Sequence, residues 1–203
     1  MASTSTATST PTKSPRKLPR DLENPVDSVL MDVADRLQPA FRATGHTPNA
    51  LTTYSLAFGA LAVWAAVRRR AALFAVAWTV SYYFDCADGH FARTYGMTTK
   101  FGDYYDHFKD YAVTLSLAAA LVVGRVLPAW AWGALGLAVL LATVHMGCQQ
   151  RYRDRPDGML DALKPLCPDA GSLRLTRFVG MGTFNALLVV VVAYYLAVAP
   201  RKP

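Results

Sequence analysis

Long apolar runs separated by short polar ones dominate the chain. Uncharged stretches of spanning length occupy 51–67, 128–144 and 178–199, and shorter ones at 71–84 and 111–124 run on into polar sequence. A helix needs about 20 mostly apolar residues to cross the hydrocarbon of a bilayer, so the pattern predicts five membrane helices. The second continues through Tyr82-Tyr83-Phe84 into Asp85, and the third starts near Gly102 with an acidic first turn. The fourth runs from Pro128 to about Gly147 and the last ends at Pro200. The stretch 151–172, with Arg151, Arg153, Arg155 and Pro165, is too polar to cross. Ahead of the first span, Val26, Val29, Leu30, Val33, Leu37 and Phe41 recur at helical spacing opposite Asp27, Asp32 and Asp35. This predicts an amphipathic helix from Pro25 to about Phe41, lying on the membrane surface or packed as an ordinary surface helix on its own domain.

Composition sharpens that picture. Of 203 residues, 53% are hydrophobic and only 17% charged, against about 25% charged in soluble domains. Disorder is excluded and a soluble globular domain is disfavoured. The expected fold is an all-α, polytopic membrane helical bundle with an N-terminal amphipathic interfacial helix. Residues 1–24 are rich in Ser, Thr and Pro and carry Lys13, Arg16, Lys17 and Arg20. They read as a disordered cytosolic tail or an acid-poor organelle transit peptide, ahead of a membrane domain at 25–200. The net charge of +7 lies outside the apolar runs, which suits anionic head groups or phosphorylated ligands and not nucleic acid. Cys86, Cys148 and Cys167 contain no C-x-x-C pair, so neither a disulfide framework nor a zinc site is expected.

The acids are not spread evenly. Of 14 acidic residues, Asp85, Asp88, Asp103, Asp106 and Asp110 fall within 26 positions at the ends of two membrane helices. Acids at membrane depth are costly and usually functional. At about 100° per residue, Asp85 and Asp88 share one helix face and Asp106 and Asp110 share another. If the two helices are antiparallel neighbours, four carboxylates converge as metal ligands, since so many negative charges stay ionised together only around a cation. Asp103 points about 60° away from Asp106 and reads as a solvated acid at a helix start. Gly89 and Gly102 let a ligand approach the backbone, Ala92 keeps the wall small, and Arg93 supplies a planar cation for a phosphate. The combination fits a metal-held pyrophosphate better than a transported ion.

Asp85-x-x-Asp88-Gly89-x-x-Ala92-Arg93, eight residues, then Gly102-x-x-x-Asp106-x-x-x-Asp110 resembles the signature of the CDP-alcohol phosphotransferase family, with every fixed position filled. The motif covers 26 residues directly, and span placement is compatible over roughly 25–200. The resemblance implies a bundle of five to six transmembrane helices, six being usual in the family. It implies that Asp85, Asp88 and Asp106 hold a divalent metal, Mg2+ or Mn2+, against the CDP pyrophosphate, and that Asp110 is the base that deprotonates the attacking alcohol. Asp85, Asp88, Gly89, Ala92, Arg93, Thr99 and Gly102 would form the nucleotide site, with Asn49 near it.

The expected activity is phosphatidyl transfer from CDP-diacylglycerol to a polar alcohol, such as inositol or glycerol phosphate, with release of CMP. His107 beside Asp106 resembles the Asp-His pair of choline and ethanolamine phosphotransferases, which leaves transfer of a phosphoamino alcohol to diacylglycerol as an alternative. The size of the chain and Lys100-Phe101-Gly102 favour the first. A small cation or proton transporter is the non-enzyme alternative, but transport does not require the glycines, Ala92 and Arg93 at these intervals. Arg151, Arg153, Arg174 and Arg177 are candidates for gripping an acceptor phosphate, or else positive anchors at membrane ends. Expected partners are a CDP-linked lipid or alcohol and membrane lipids; a homodimer is compatible. The expected location is an internal membrane such as the endoplasmic reticulum, with the active site facing the cytosol.

Overall fold

The computed structural model describes residues 16–153 and 158–198, and its regular elements are all helical. Helix α1 (Pro25–Ala43) is followed by four long helices, α2 (Pro48–Val67), α3 (Ala71–Thr94), α4 (Lys100–Val123) and α5 (Ala129–Arg153). A 3-10 segment (Gly158–Leu166), a one-turn helix α6 (Leu173–Thr176) and the apolar α7 (Met181–Val198) complete the chain.

The helix starts follow from local chemistry. Asn24 caps α1 by accepting from the Val26 and Asp27 amides at 3.0 and 3.4 Å, with Pro25 in the first helical position. Thr47 and Pro48 repeat the device for α2, and Thr99 caps α4 by accepting from the Gly102 amide at 3.0 Å. Each cap satisfies an amide that the helix leaves orphaned, and proline there forfeits no bond. Gly45 and Gly96, at φ 76° and 65°, take the left-handed conformation in the turns that enter α2 and α4.

Helix α2 is the spine: α3 and α4 both pack against it, and α4 has no other extensive helix contact. Its alanines Ala62, Ala65 and Ala66 are buried with Phe74, Trp78, Val113, Leu117 and Leu121 in the main apolar core. Helix α7 joins that core through Leu188, Val192 and Leu196, packing on α3 and α5. Three helical segments, Pro48–Val67, Ala129–Arg153 and Leu173–Val198, are long and apolar enough to cross a membrane. Helices α3 and α4 have 24 residues each, about 36 Å at 1.5 Å per residue, but carry the acidic cluster at one end.

Helix α1 packs on α3 and α7. Its buried residues are Ala34 and Gln38, whereas Val29, Val33 and Leu37 are exposed. So α1 turns Ala34, Gln38 and Asp27 toward the protein and leaves much of its apolar stripe facing outward.

Two expectations meet differences on this side of the bundle. Cys148 and Cys167 form a disulfide, contrary to the expectation of none. The spacing of 19 residues gave no motif, but the 3-10 segment folds back on α5 where Gly147 leaves no side chain in the way of the Leu163 backbone. Leu18 and Leu22 pack with Cys148, Cys167 and Leu173 in a small second core. The folded body therefore begins before Pro25, although the tail was expected to run to residue 24. Residues 1–15 of that tail lie outside the described residues.

Helix order places the Arg68–Arg70 turn at the opposite end of the bundle from Asp85 and Asp88, and the Arg69 guanidinium donates to the Gly124 carbonyl of the α4–α5 turn at 2.8 Å. Single cysteines introduced as Arg68→Cys and Thr98→Cys should therefore react with an impermeant thiol reagent from opposite faces of sealed vesicles; labelling from one face would refute this order. Gly59 supplies a second check. A Cβ there would sit 2.8 Å from Val113 Cγ1 across the α2–α4 seam. Gly59→Val should cost about 1–3 kcal/mol through overpacking and lower the melting midpoint, whereas the same change at Gly133, with open space around it, should not.

Candidate active site

The last turns of α3 and the first turns of α4 meet at one end of the bundle. Single carboxylate oxygens of Asp85, Asp106 and Asp110 lie within 4.8 Å of one another. Asp88, one turn further along α3, is buried beside them and turned toward α2. There its Oδ2 accepts from the Thr52 hydroxyl at 2.5 Å, and its Oδ1 accepts from the Gly89 amide at 2.5 Å. Three of the four predicted aspartates thus converge directly, and the fourth forms the adjoining wall.

Lys109 enters the same space. Only 2% exposed, its ammonium donates to Asp85 Oδ1, lies 2.6 Å from Asp110 Oδ1 and 3.2 Å from Asp106 Oδ1, and donates to Ser55 Oγ at 3.3 Å. An ammonium withdrawn this far from water persists only when paired. Three convergent carboxylates with one ammonium between them keep a net negative charge, and their hard oxygens fit a divalent cation. Asp106, with Asp85 and Asp88 on either side, would hold it.

Two cavities adjoin the aspartates. The smaller, about 500 Å3, is lined by Asn49, Gly89, Ala92, Arg93, Thr99 and Gly102 together with Asp88 and Asp106. Asp88, Gly89, Ala92, Arg93, Thr99 and Gly102 are expected nucleotide residues, and Asn49 was expected near them; Asp85, expected with them, lines only the larger cavity. A Cβ on Gly89 would lie 3.1 Å from Arg93 Nη1, and one on Gly102 would lie 3.1 Å from both Asn49 Oδ1 and Thr99 Oγ1. The cavity's width therefore depends on both glycines. His107 and Asp103 lie at its rim, the His107 ring 2.8 Å from the Asp103 carbonyl, so neither enters the carboxylate cluster.

The larger cavity, about 730 Å3, is reached by Asp85, Asp110 and Lys109 and also touches Asp88 and Asp106. It extends along α4 past Val113 and Leu117 to Leu121, facing Leu135 of α5 and Leu188 of α7. Lys17, Glu23, Asn24, Asp27 and Gln149 line its polar part. Asp27 accepts from the Tyr82 hydroxyl at 2.7 Å, and burial pushes its carboxyl up to about 6 despite that bond.

Helix α1 also braces α3 from outside. The His90 ring, fully buried directly after Gly89, lies 2.6 Å from Asp35 Oδ1. Burial alone would raise the Asp35 carboxyl, but hydrogen bonds with His90 and Arg16 hold it below the usual range. Arg16 also donates to Glu23 and Asp32, at 2.6 and 2.7 Å.

Sequence reasoning overlooked Lys109, Thr52, Ser55 and His90. Lys109 did leave a signal, as a cation on a membrane helix between two of the aspartates. Thr52 and Ser55 face the cluster only through helix packing, and His90 faces Asp35 of α1. The four arginines considered for an acceptor phosphate do not act together. Arg151 donates to the Cys167 carbonyl at 2.9 Å, Arg177 donates to the Asp21 carbonyl and lies over Phe178, and Arg174 is exposed. Arg153 alone among them lines a cavity, the smaller one.

No curated protein and no solved structure matches the chain significantly. The family model described as CDP-alcohol phosphatidyltransferase matches residues 45–199, which takes in α2 to α7 and every residue of the aspartate cluster. With the signature filled and its side chains gathered around one end of a helical bundle, the chain belongs to the CDP-alcohol phosphatidyltransferase family.

Proposed function

We propose that this protein is a multi-pass membrane enzyme of phospholipid synthesis that moves a phosphatidyl group from CDP-diacylglycerol to a polar alcohol and releases CMP. The observation that carries the proposal is the meeting of two unlike cavities at the aspartates. The polar one has the signature residues for a nucleotide. The apolar one runs along membrane-length helices and has room for acyl chains. On this reading α2, α3, α4, α5 and α7 span the bilayer, α1 lies in its interface with Val29, Val33 and Leu37 toward lipid, and the aspartates face the cytosol.

A divalent ion, when bound, would stabilise negative charge on the pyrophosphate oxygens. Arg93 and Arg153 would face the nucleotide phosphate, and Asp85, Asp88 and Asp106 would fix the cation's position. Asp110 opens into the larger cavity and not the smaller, so the alcohol must approach from that side. Its hydroxyl proton would pass to Asp110 as its oxygen bonds to the phosphorus bearing the diacylglycerol. The bond from that phosphorus to the bridging oxygen would break, and CMP would leave with the electron pair.

The dispersal of Arg151, Arg174 and Arg177 supports an unphosphorylated alcohol over a phosphorylated one. The charged groups in the polar part of the acceptor cavity include Glu23 and Asp27 as well as Lys17. The same apolar cavity keeps one second reading open, in which diacylglycerol is the acceptor and the donor is a CDP-amino alcohol.

Asp106→Asn and Asp88→Asn should abolish metal-dependent CMP release and weaken divalent-cation binding, because each removes a charge from the cluster. Asp110→Asn should keep substrate and metal binding while turnover falls roughly 100-fold or more. Full activity in the first two variants would refute the metal assignment, and absence of CMP release from any CDP substrate by the wild-type protein would favour the transporter alternative. Steady-state kinetics test the arginines. Arg153→Ala should raise the KM for the CDP substrate, since a charge-assisted bond to phosphate contributes about 1.5–3 kcal/mol, whereas Arg174→Ala should move neither KM.

A further inference from the structure

Lys109 is the feature that the family signature does not require. A lysine side chain is long enough to snorkel from an interfacial helix end to water, yet this one turns inward between α2 and α3 and is 2% exposed. Its charge is shared by three carboxylates. The ammonium hydrogen-bonds Asp85 and Ser55, lies 2.6 Å from Asp110 and pairs with Asp106 Oδ1 at 3.2 Å. Ser55 is itself fixed, its hydroxyl donating to the Ser81 carbonyl at 2.9 Å and its carbonyl accepting from the Ser81 hydroxyl at 2.8 Å. The lysine therefore has a built seat at the α2–α3 seam.

That seat lies among the carboxylates. The ammonium fills the space between Asp85, Asp110 and Asp106 Oδ1, and Asp106 also lines both cavities. Two divalent ions in one site would lie about 3.5–4 Å apart, and the space among Asp85, Asp106 and Asp110 that one of them would need is where the ammonium sits. We propose that Lys109 is a built-in cation that takes the place of a second divalent ion, so that the site binds a single metal and the side chain keeps Asp85 and Asp110 in position. Lys109 is on this view a positioning residue. The inference rests on the aspartates being metal ligands, as in the proposed function, but not on the identity of either substrate.

The test counts ions on the purified full-length protein in detergent, using Mn2+ and the electron paramagnetic resonance signal of the free ion. Wild type should bind one Mn2+ per chain, and Lys109→Met should bind a second. Lys109→Arg, which keeps the charge, should stay at one. Without metal, Lys109→Met should melt at a lower temperature than wild type, because three carboxylates lose their counter-charge, and added Mn2+ should raise its midpoint by more than it raises that of wild type. Two ions on wild type, none on wild type, or an unchanged count in Lys109→Met would overturn the proposal. If Lys109→Met does not fold, a wild-type count of two or none still overturns it, and a second ion on Lys109→Gln, with its shorter neutral side chain, still supports it. CMP release by wild type with an unchanged ion count in the variants would defeat the lysine inference alone. The expected counts without CMP release from any CDP substrate would defeat the proposed reaction alone.

Discussion

The mutual repulsion of four aspartates at the mouth of a membrane bundle is the constraint on which the rest of the structure depends. Carboxylates so close together, withdrawn from water, are tolerable only when cations and hydrogen-bond donors surround them. Every neighbouring element contributes one. Helix α2 sends the Thr52 hydroxyl to Asp88 and Ser55 to Lys109, α4 supplies Lys109 itself, and α3 offers its own Gly89 amide. The small residues of α2 follow from this demand, since a hydroxyl can reach across a seam only where the helices lie close. Gly59 against Val113 and the buried Ala62, Ala65 and Ala66 provide that closeness one to three turns away.

A second layer of charge lies outside the first. Arg16 gathers Glu23, Asp32 and Asp35, and Asp35 in turn meets His90 beside the catalytic end of α3. On the other flank, Asp27 meets Tyr82 one turn before Asp85. Helix α1 is thus joined to α3 by polar bonds at two points on either side of the aspartates, and Phe41 of its apolar stripe also meets the Phe84 ring of α3. A helix attached in this way can leave Val29, Val33 and Leu37 outward, which reconciles its amphipathic sequence with its packing. On the proposed reading, membrane contact and support of the site would fall to opposite faces of one helix.

Much of this was legible in the residues. The apolar runs located all five long helices that follow α1, three of which lie in segments long and apolar enough to cross a membrane, because a long buried or spanning helix must be nearly continuous in apolar residues. The fixed spacing of the aspartates and glycines located the site, because one helix turn sets which carboxylates share a face. What stayed hidden depends on contacts between segments distant in sequence. The Cys148–Cys167 bond requires the 3-10 segment to fold back on α5, and no spacing rule announces that. Leu18 and Leu22 lie in a stretch whose composition resembles a tail, and only their packing against Leu173 and the disulfide shows otherwise. Thr52 and Ser55 looked like ordinary polar residues in an apolar span, their partners being 36 and 54 residues away. The positive charge of residues 151–177 suggested a phosphate grip. The structure shows two of those arginines holding backbone carbonyls instead, a use that charge alone cannot reveal.

The division of labour between the two cavities follows from the same helix geometry. Asp88, turned toward α2, and Asp106 line both cavities, whereas Asp110 lies one turn deeper on α4 and lines only the larger. On antiparallel helices, moving deeper along α4 means moving toward the apolar core, so the residue best placed to accept a proton is also the one nearest to lipid. A group entering from the bilayer would meet Asp110 before it met any signature residue of the nucleotide side. A soluble head group would reach the same carboxylate only past Lys17, Glu23 and Asp27. On the proposed reading, the alcohol's hydroxyl would arrive from the larger cavity while the nucleotide occupied the smaller, with Asp106, which lines both, between them. In-line displacement needs that opposition of entering and leaving oxygens, and the packing of both α3 and α4 on a small-residue α2 would provide it.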